Sequence, residues 1–573
     1  MIDTRAVALA LLAYAVLALS TVRAFGLAGE VAAGWTSGPP PKVAVAIEGP
    51  LWSGPPWEPG AGHAWGPLAA RQTRPVETLD IGTVHLPLAV NGYTGGIADW
   101  PARLLYAVTG SARAVVGLHV VLGGLLVLLV HRFLCIHASA ASAGAAAVIL
   151  ATSWSFVFYR KVLGGTELLL EACALLVLWA LWSRRWRGGR HGDLALALGL
   201  GIGLLAKVTF AATAVAFALA AWATRWDRPS IQPPLPIRWL RDLGVVAACL
   251  LPLGVAAVHA GLGLPAAPRI VSHDGLAFQA DRLARGLDGL LSGGFAPARE
   301  GGSNLLWFLA DPLRWFVPAL GADPPAFSPW PLHVVGWLLV AWGVARVWRR
   351  RERSPQDALL RWASIAAPLQ LGLLFLLNRD LHHLAQASPT LALLGGLALE
   401  SVAARFTPPR SWRRATAVAL GCGAWVVAGV LSLAATDRVI GTTRAPVVTR
   451  SGQARIVEML RQNGAQTVWT SEYDIYGVLE ALAPDVEARH AWGAVSLGGD
   501  RADLLAGILR DAGRGPAGHY LALRPSARRI YDLYPSETDV RAAAVEAGVR
   551  VEAVESASDR DGPWAILWRV TAP

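Results

Sequence analysis

Residues 194–222, LALALGLGIGLLAKVTFAATAVAFALAAW, are apolar throughout except for one cation, Lys207. A charged side chain in that setting costs roughly 2.5–3.5 kcal/mol on insertion scales unless it reaches water or a partner. One helix of that length would run roughly 44 Å at about 1.5 Å per residue, against about 30 Å of bilayer hydrocarbon. The stretch therefore reads as two membrane spans joined by a tight reversal near Lys207–Thr209, with Lys207 at a membrane face.

The rest of the chain up to about residue 435 repeats this pattern of long apolar runs parted by short basic loops. The loops SRRWRGGR (183–190), RWDRPSIQPPLPIRWLRD (225–242), RVWRRRERS (346–354) and RFTPPRSWRR (405–414) carry the arginines. Cytoplasmic loops of membrane proteins are the basic ones, which orients the chain. Spans then fall near 6–27, 113–131, 140–158, 166–183, 193–207, 209–224, 242–261, 329–348, 358–377, 387–404 and 415–435, with the N-terminus cytoplasmic and Lys207 external. Only 16% of the 573 residues are charged and 54% are hydrophobic, whereas soluble domains carry about a quarter charged residues. The fold class expected is a polytopic α-helical membrane protein of about 11 spans. The net charge of +11 belongs to the basic loops and calls for no nucleic acid. The first apolar stretch runs about 20 residues with no A-x-A site, so it reads as a retained span rather than a signal peptide.

Three segments fall on the external side. The first is 28–112, whose GWTSGPPPK…GPLWSGPPWEPGAGHAWGP part reads as irregular. The second is 262–328, where SNLLWFLADPLRWFVPALG reads as an interfacial helix pair. The third is the tail, 436–573, in which charge rises and long apolar runs vanish. Its helical and strand-like patterns alternate, which predicts a small soluble α/β domain. The division expected is thus a membrane domain over 1–435 and an external domain over 436–573. With no GxGxxG and no P-loop, the tail is assigned no nucleotide. Cys135, Cys173, Cys249 and Cys422 lie in or beside apolar runs and imply neither a disulfide framework nor a metal site.

Chemistry-bearing residues gather at the external face. Glu30 follows the first span directly, and Asp80 opens the weakly charged LDIGTVHLPLAVNGYTGGIADWPARLLYAVTG, which ends in a helix entering the second span. Arg160 and Lys161 stand at the outer end of the third span, Arg379, His382 and His383 lie between the ninth and tenth, and Lys207 lies in its turn. Lys42, Lys161 and Lys207 are the chain's only lysines, so two of three sit in this group. External cations run against the general bias and suggest a bound anion such as a lipid phosphate; the alternative for each is simple snorkelling to headgroups. His382 and His383 could instead ligate a divalent metal with Glu30 or with His273 and Asp274, although adjacent histidines point in different directions on a helix. No cofactor is assigned, and a divalent metal stays open.

These features together resemble the GT-C membrane glycosyltransferases, in particular the protein O-mannosyltransferase and aminoarabinose transferase branch (glycosyltransferase family 39-like). The resemblance covers about residues 5–435. It rests on the acid in GEVAAGW, on HLPLAVNGYTGG…WPARLLYAVTG before the second span, on GIGLLAKVTF, and on RDLHHLAQASPTLALLGGLAL. It implies transfer of a sugar from a polyprenyl-phosphate donor to a lipid, glycan or protein acceptor on the non-cytoplasmic face. The family's acid acts as general base and its basic residues hold the donor phosphate. Carried over, Glu30 is the base, with Asp80 as rival because the family's Asp-Glu pair is Gly29-Glu30 here. Arg160, Lys161, Lys207, Arg379, His382 and His383 become the phosphate-binding set. The site implied is in a bacterial inner membrane with the tail periplasmic; the Arg-for-Lys bias suggests a bacterial origin. Two other classes remain: a lipid or sugar transporter, for which Glu167, Glu171 and Glu400 are the acids within spans, and a non-catalytic scaffold presenting the tail.

Overall fold

The computed structural model describes residues 2–28, 77–81, 84–91, 94–109, 112–162, 165–187, 190–224, 243–251, 309, 328–350, 354–377, 384–406, 412–442, 450–470, 475, 479, 486–490, 501–514, 518–523, 525, 535–559 and 562–572. The chain opens with helix α1 (Ile2–Ala28). A small antiparallel sheet follows, β1 (Glu77–Ile81), β2 (Val84–Asn91) and β3 (Thr94–Gly95). A 3₁₀ turn, Gly96–Asp99, leads into α2 (Trp100–Thr109) and then α3 (Ala112–His137). The apolar runs continue as α4 (Ala140–Thr152), α5 (Trp154–Val162), α6 (Gly165–Arg187), α7 (Arg190–Ala206) and α8 (Phe210–Ala223). After these come α9 (Trp330–Arg349), α10 (Pro355–Leu377), α11 (Ser388–Phe406) and α12 (Trp412–Thr442).

The protein is thus a mainly helical, integral membrane protein. Among the described residues four helices are long and apolar enough to cross a membrane, within Gly117–His137, Trp330–Arg349, Pro355–Leu376 and Thr416–Thr436, and four shorter apolar helices accompany them. The run read as one span over 140–158 is two helices, α4 and α5, parted at Ser153. The Ser153 backbone is extended (ψ 125°), and its N–H bonds the Leu150 carbonyl, closing α4 before α5 begins. The helix pair expected within 262–328 lies outside the described residues apart from Leu309, whose carbonyl accepts from Trp337 Nε1 at 2.9 Å.

Helix α4 is the hub of the bundle, packing against α1, α3, α11 and α12. Its sequence, AASAGAAAVILAT, is nearly all small residues. Lipid offers no hydrophobic drive between helices, so close backbone approach through small residues supplies the packing instead. Gly396 of α11 illustrates how close: a Cβ there would stand 2.6 Å from the Ser142 carbonyl oxygen. Some polar groups within the bundle meet across helices or at helix ends. Gln370 of α10 donates to Thr213 of α8 at 3.0 Å. Arg361 caps the carboxyl end of α9 by donating to the Val347 and Arg350 carbonyls, each at 2.8 Å, where a helix end leaves carbonyls to satisfy.

Beyond residue 442 the chain forms α13 (Arg450–Gln462), β4 (Thr467–Thr470), β5 (Glu487–His490), α14 (Arg501–Arg514), β6 (His519–Leu523), α15 (Glu537–Ala547), β7 (Arg550–Asp559) and β8 (Gly562–Thr571). The sheet runs β5-β4-β6-β8-β7, with β5, β4 and β6 parallel and the last two pairings antiparallel. Both faces are covered. Tyr520 and Ala522 join Ile456, Met459 and Leu460 of α13 on one side. Leu521 and Leu523 join Leu505, Leu509, Val540 and Ala543 of α14 and α15 on the other. A strand buried on both faces reads as a continuous apolar run, which explains the wholly buried HYLAL of β6. Helix α15 is fixed at both ends, by a capping box between Ser536 and Asp539 and by Gly548 at φ 64°, a left-handed conformation that favours glycine.

Candidate active site

Lys207 sits where the length argument puts it, in the reversal between α7 and α8. Its N–H closes α7 on the Gly203 carbonyl at 3.0 Å, and its own carbonyl accepts from Phe210 N–H at 2.9 Å as α8 starts. The side chain does not run out to a membrane surface. It is 1% exposed, and its ammonium lies 4.0 Å from the Glu167 carboxylate, equally buried in the first turn of α6. Two charges this deep are tolerable together and costly apart: removing one partner of a buried pair typically costs about 3–5 kcal/mol. Their separation is that of an ion pair, longer than a hydrogen bond.

Several elements meet at this end of the bundle. The 3₁₀ turn Gly96–Asp99 packs on both α6 and α7, and β3 packs on α7. Ile97 and Val208 lie against buried Leu205. The end of the first long loop, TGGIAD (94–99), is therefore seated on the Lys207 reversal. Glu171, fully buried, follows Glu167 one turn along α6. Arg160 and Lys161 occupy the last turn of α5, immediately before α6 begins. Ser155 at the other end of α5 hydrogen bonds Ser388, the first residue of α11, at 3.1 Å, which ties the segment leading into α11 to the same helix as these cations.

The remaining candidates divide as follows. Asp80 is in β1, opposite His85 of β2 in the hairpin register. Glu30 falls two positions past the end of α1, outside the described residues, as do Arg379, His382 and His383. Among the described residues no cluster of three or more His, Cys, Asp or Glu side chains is arranged to hold a metal. Glu167 is the participant that sequence reasoning did not assign to this site. Its signal was present, since an acid and a lysine within apolar runs at the same end each demand a partner.

A second ionic site lies at the opposite, arginine-rich end. Glu400 of α11 accepts from Ser139 and Ser142 at the start of α4 and from Gln356 Nε2 at 2.7 Å. Arg414 of α12 pairs with it at 3.0 Å. Four side chains from three elements and the α4 cap thus converge on one carboxylate.

No family model and no curated protein matches the chain. Among solved structures it is similar to ArnT from Cupriavidus metallidurans bound to undecaprenyl phosphate, at 13% identity over 92% of this chain and 96% of that one, TM-score 0.49. It is also similar to the archaeal oligosaccharyltransferase AglB from Archaeoglobus fulgidus in complex with an inhibitory peptide and a dolichol-phosphate. That likeness is at 14% identity over 98% of this chain and 74% of that one, TM-score 0.49. Both neighbours are GT-C superfamily membrane glycosyltransferases, the group the sequence resembles. At these identities and scores the likeness concerns the general course of the chain and nothing about its chemistry.

Proposed function

We propose that the chain is a membrane glycosyltransferase that moves a sugar, hexosyl or pentosyl, from a polyprenyl-phosphate donor to a lipid, glycan or protein acceptor at the non-cytoplasmic face. The observation that carries this reading is the Lys207 reversal: a buried lysine held beside Glu167, roofed by the end of the first loop, and reached in sequence by Arg160 and Lys161. A cation preset within the bundle suits a phosphate that gains negative charge as it leaves. In the step proposed, an acceptor hydroxyl or amine attacks the anomeric carbon of the donor sugar. The bond from that carbon to the phosphate oxygen breaks, and the electron pair leaves with the polyprenyl phosphate. The acceptor's proton passes to Glu30, with Asp80 as the rival base. Arg160, Lys161, Lys207, Arg379, His382 and His383 form the proposed phosphate set.

The same reading takes eleven spans, a cytoplasmic N-terminus, a membrane domain over 1–435 and a soluble periplasmic tail over 436–573 in a bacterial inner membrane. The tail's fully packed sheet, covered on both faces by its own helices, supports its reading as an independent unit. A transporter is the second reading, favoured by Glu167 and Glu171 buried one turn apart in α6; turnover of a labelled donor separates the two.

Binding of polyprenyl phosphate to purified variants tests the site. Lys207→Met alone strands Glu167, so its loss of binding would be mixed with a loss of stability. The double variant Lys207→Met/Glu167→Gln removes both charges and keeps the packing. It is expected to bind polyprenyl phosphate about ten- to a hundredfold more weakly than wild type, the worth of a charge-assisted hydrogen bond. Lys207→Arg is expected to recover part of the affinity, with charge kept and geometry changed. Wild-type affinity in the double variant overturns the phosphate role.

A further inference from the structure

The arginine-rich end of the bundle holds a cavity of about 940 Å³ between α1, α4 and α12. That is near the top of the range of about 300–1,000 Å³ that ligand pockets occupy. Its walls are apolar: Ala6 and Leu9 of α1, Ala141 and Ala145 of α4, Val418 and Ala419 of α12. The face α4 presents there is mostly small, Ala140, Ala141, Gly144 and Ala145, with Val148 the one larger side chain it contributes. Residues small enough to let helices meet also leave a trench where no neighbour fills it. The trench opens sideways, since Leu9 is 64% exposed on its rim. One end is polar, with Arg5, Gln356, Glu400 and Arg414. Two arginines against one carboxylate leave that end with a net charge of one positive. Glu400 takes Arg414 as its partner at 3.0 Å, while Arg5 is exposed at the mouth.

We infer that this groove binds an acidic glycerophospholipid of the cytoplasmic leaflet, with one acyl chain along the α4 trench and the phosphate at Arg5. An apolar trench flanking a membrane helix is filled by a lipid chain rather than by water. Its cationic end then selects among headgroups, because anionic lipids gather where arginines stand at the cytoplasmic surface. The site is at the opposite end of the bundle from Lys207 and depends on no glycosyl transfer, only on the bundle standing in a membrane with its arginine-rich end inside.

The test is native mass spectrometry of the full chain titrated with phosphatidylglycerol, phosphatidylcholine or undecaprenyl phosphate. Wild type is expected to retain phosphatidylglycerol about tenfold better than phosphatidylcholine. Arg5→Gln should erase that preference and keep weak binding of both. Ala419→Trp, a substitution at an exposed wall position, should abolish binding of both while the protein melts normally. Arg349→Gln, another exposed arginine at the same end but outside the groove, should leave the preference intact. Equal retention of the two phospholipids by wild type overturns the inference. So does an equal loss in Arg349→Gln and Arg5→Gln, which would mark a diffuse charge effect. Preferential retention of undecaprenyl phosphate overturns the choice of occupant.

Discussion

The two ionic sites of the bundle are built on different plans. At the arginine-rich end, Glu400 is saturated: two serines, a glutamine and an arginine from α4, α10 and α12 all point to it. At the other end, Glu167 and Lys207 stand 4.0 Å apart, beyond hydrogen-bond length. A carboxylate with its acceptor capacity filled by neighbours is a clasp, and it has little to offer a substrate. The lysine and carboxylate at the other end instead meet as a single pair at ion-pair distance, both within the bundle. Buried charge serves cohesion at one end and, on the proposed reading, catalysis at the other.

That contrast breaks if substitutions at the two ends do the same thing. The largest effect is expected at the external end: Glu30→Gln should slow sugar transfer by about 10²–10⁴-fold, the usual loss with a general base, with an unchanged melting temperature. If Asp80→Asn is the variant that loses turnover and Glu30→Gln is not, the base belongs to the β1–β2 hairpin. Next comes Glu400→Ala, which leaves two serines, Gln356 and the half-buried Arg414 without their shared carboxylate. It should cost about 3–5 kcal/mol of stability, read as a lower melting temperature and reduced yield, with residual folded protein turning over normally. Loss of turnover at full stability would make the clasp part of the reaction machinery. The smallest effect is expected for Gln356→Ala, which removes one donor from a carboxylate that keeps three others, about 0.5–1.5 kcal/mol in the same melting assay.

Some of this architecture was legible in the sequence because physical length forced it. The reversal at Lys207–Thr209 follows from a run too long for one bilayer crossing, and the structure breaks the helix there. The tail's alternation of apolar strands and amphipathic helices likewise corresponds to its mixed sheet. The break at Ser153 was not legible, since ATSWSFVF has neither proline nor glycine and continues an apolar run. The β1–β2 hairpin was passed over although Val84, Leu86, Leu88 and Val90 alternate as a strand should; Pro87 interrupts the pattern, and proline in a run argues for an edge position or no strand. For the candidate site, the sequence located Lys207 and stated that it needs a partner. Which acid answers is a matter of helix placement, and Glu167 against Glu171 differ only in which faces the reversal.

The clasp also has a timetable. Ser139 and Glu400 are 261 residues apart, which a ribosome working at about 5–20 residues per second covers in roughly 13–50 s. For most of that interval α4 is complete while α11 and α12 have yet to be made. The hub helix must therefore wait in the membrane with its two serines turned toward partners still to be synthesised. A nascent chain stalled before residue 400 exposes that vacancy, and membrane quality control has a defined feature by which to tell an unfinished bundle from a closed one.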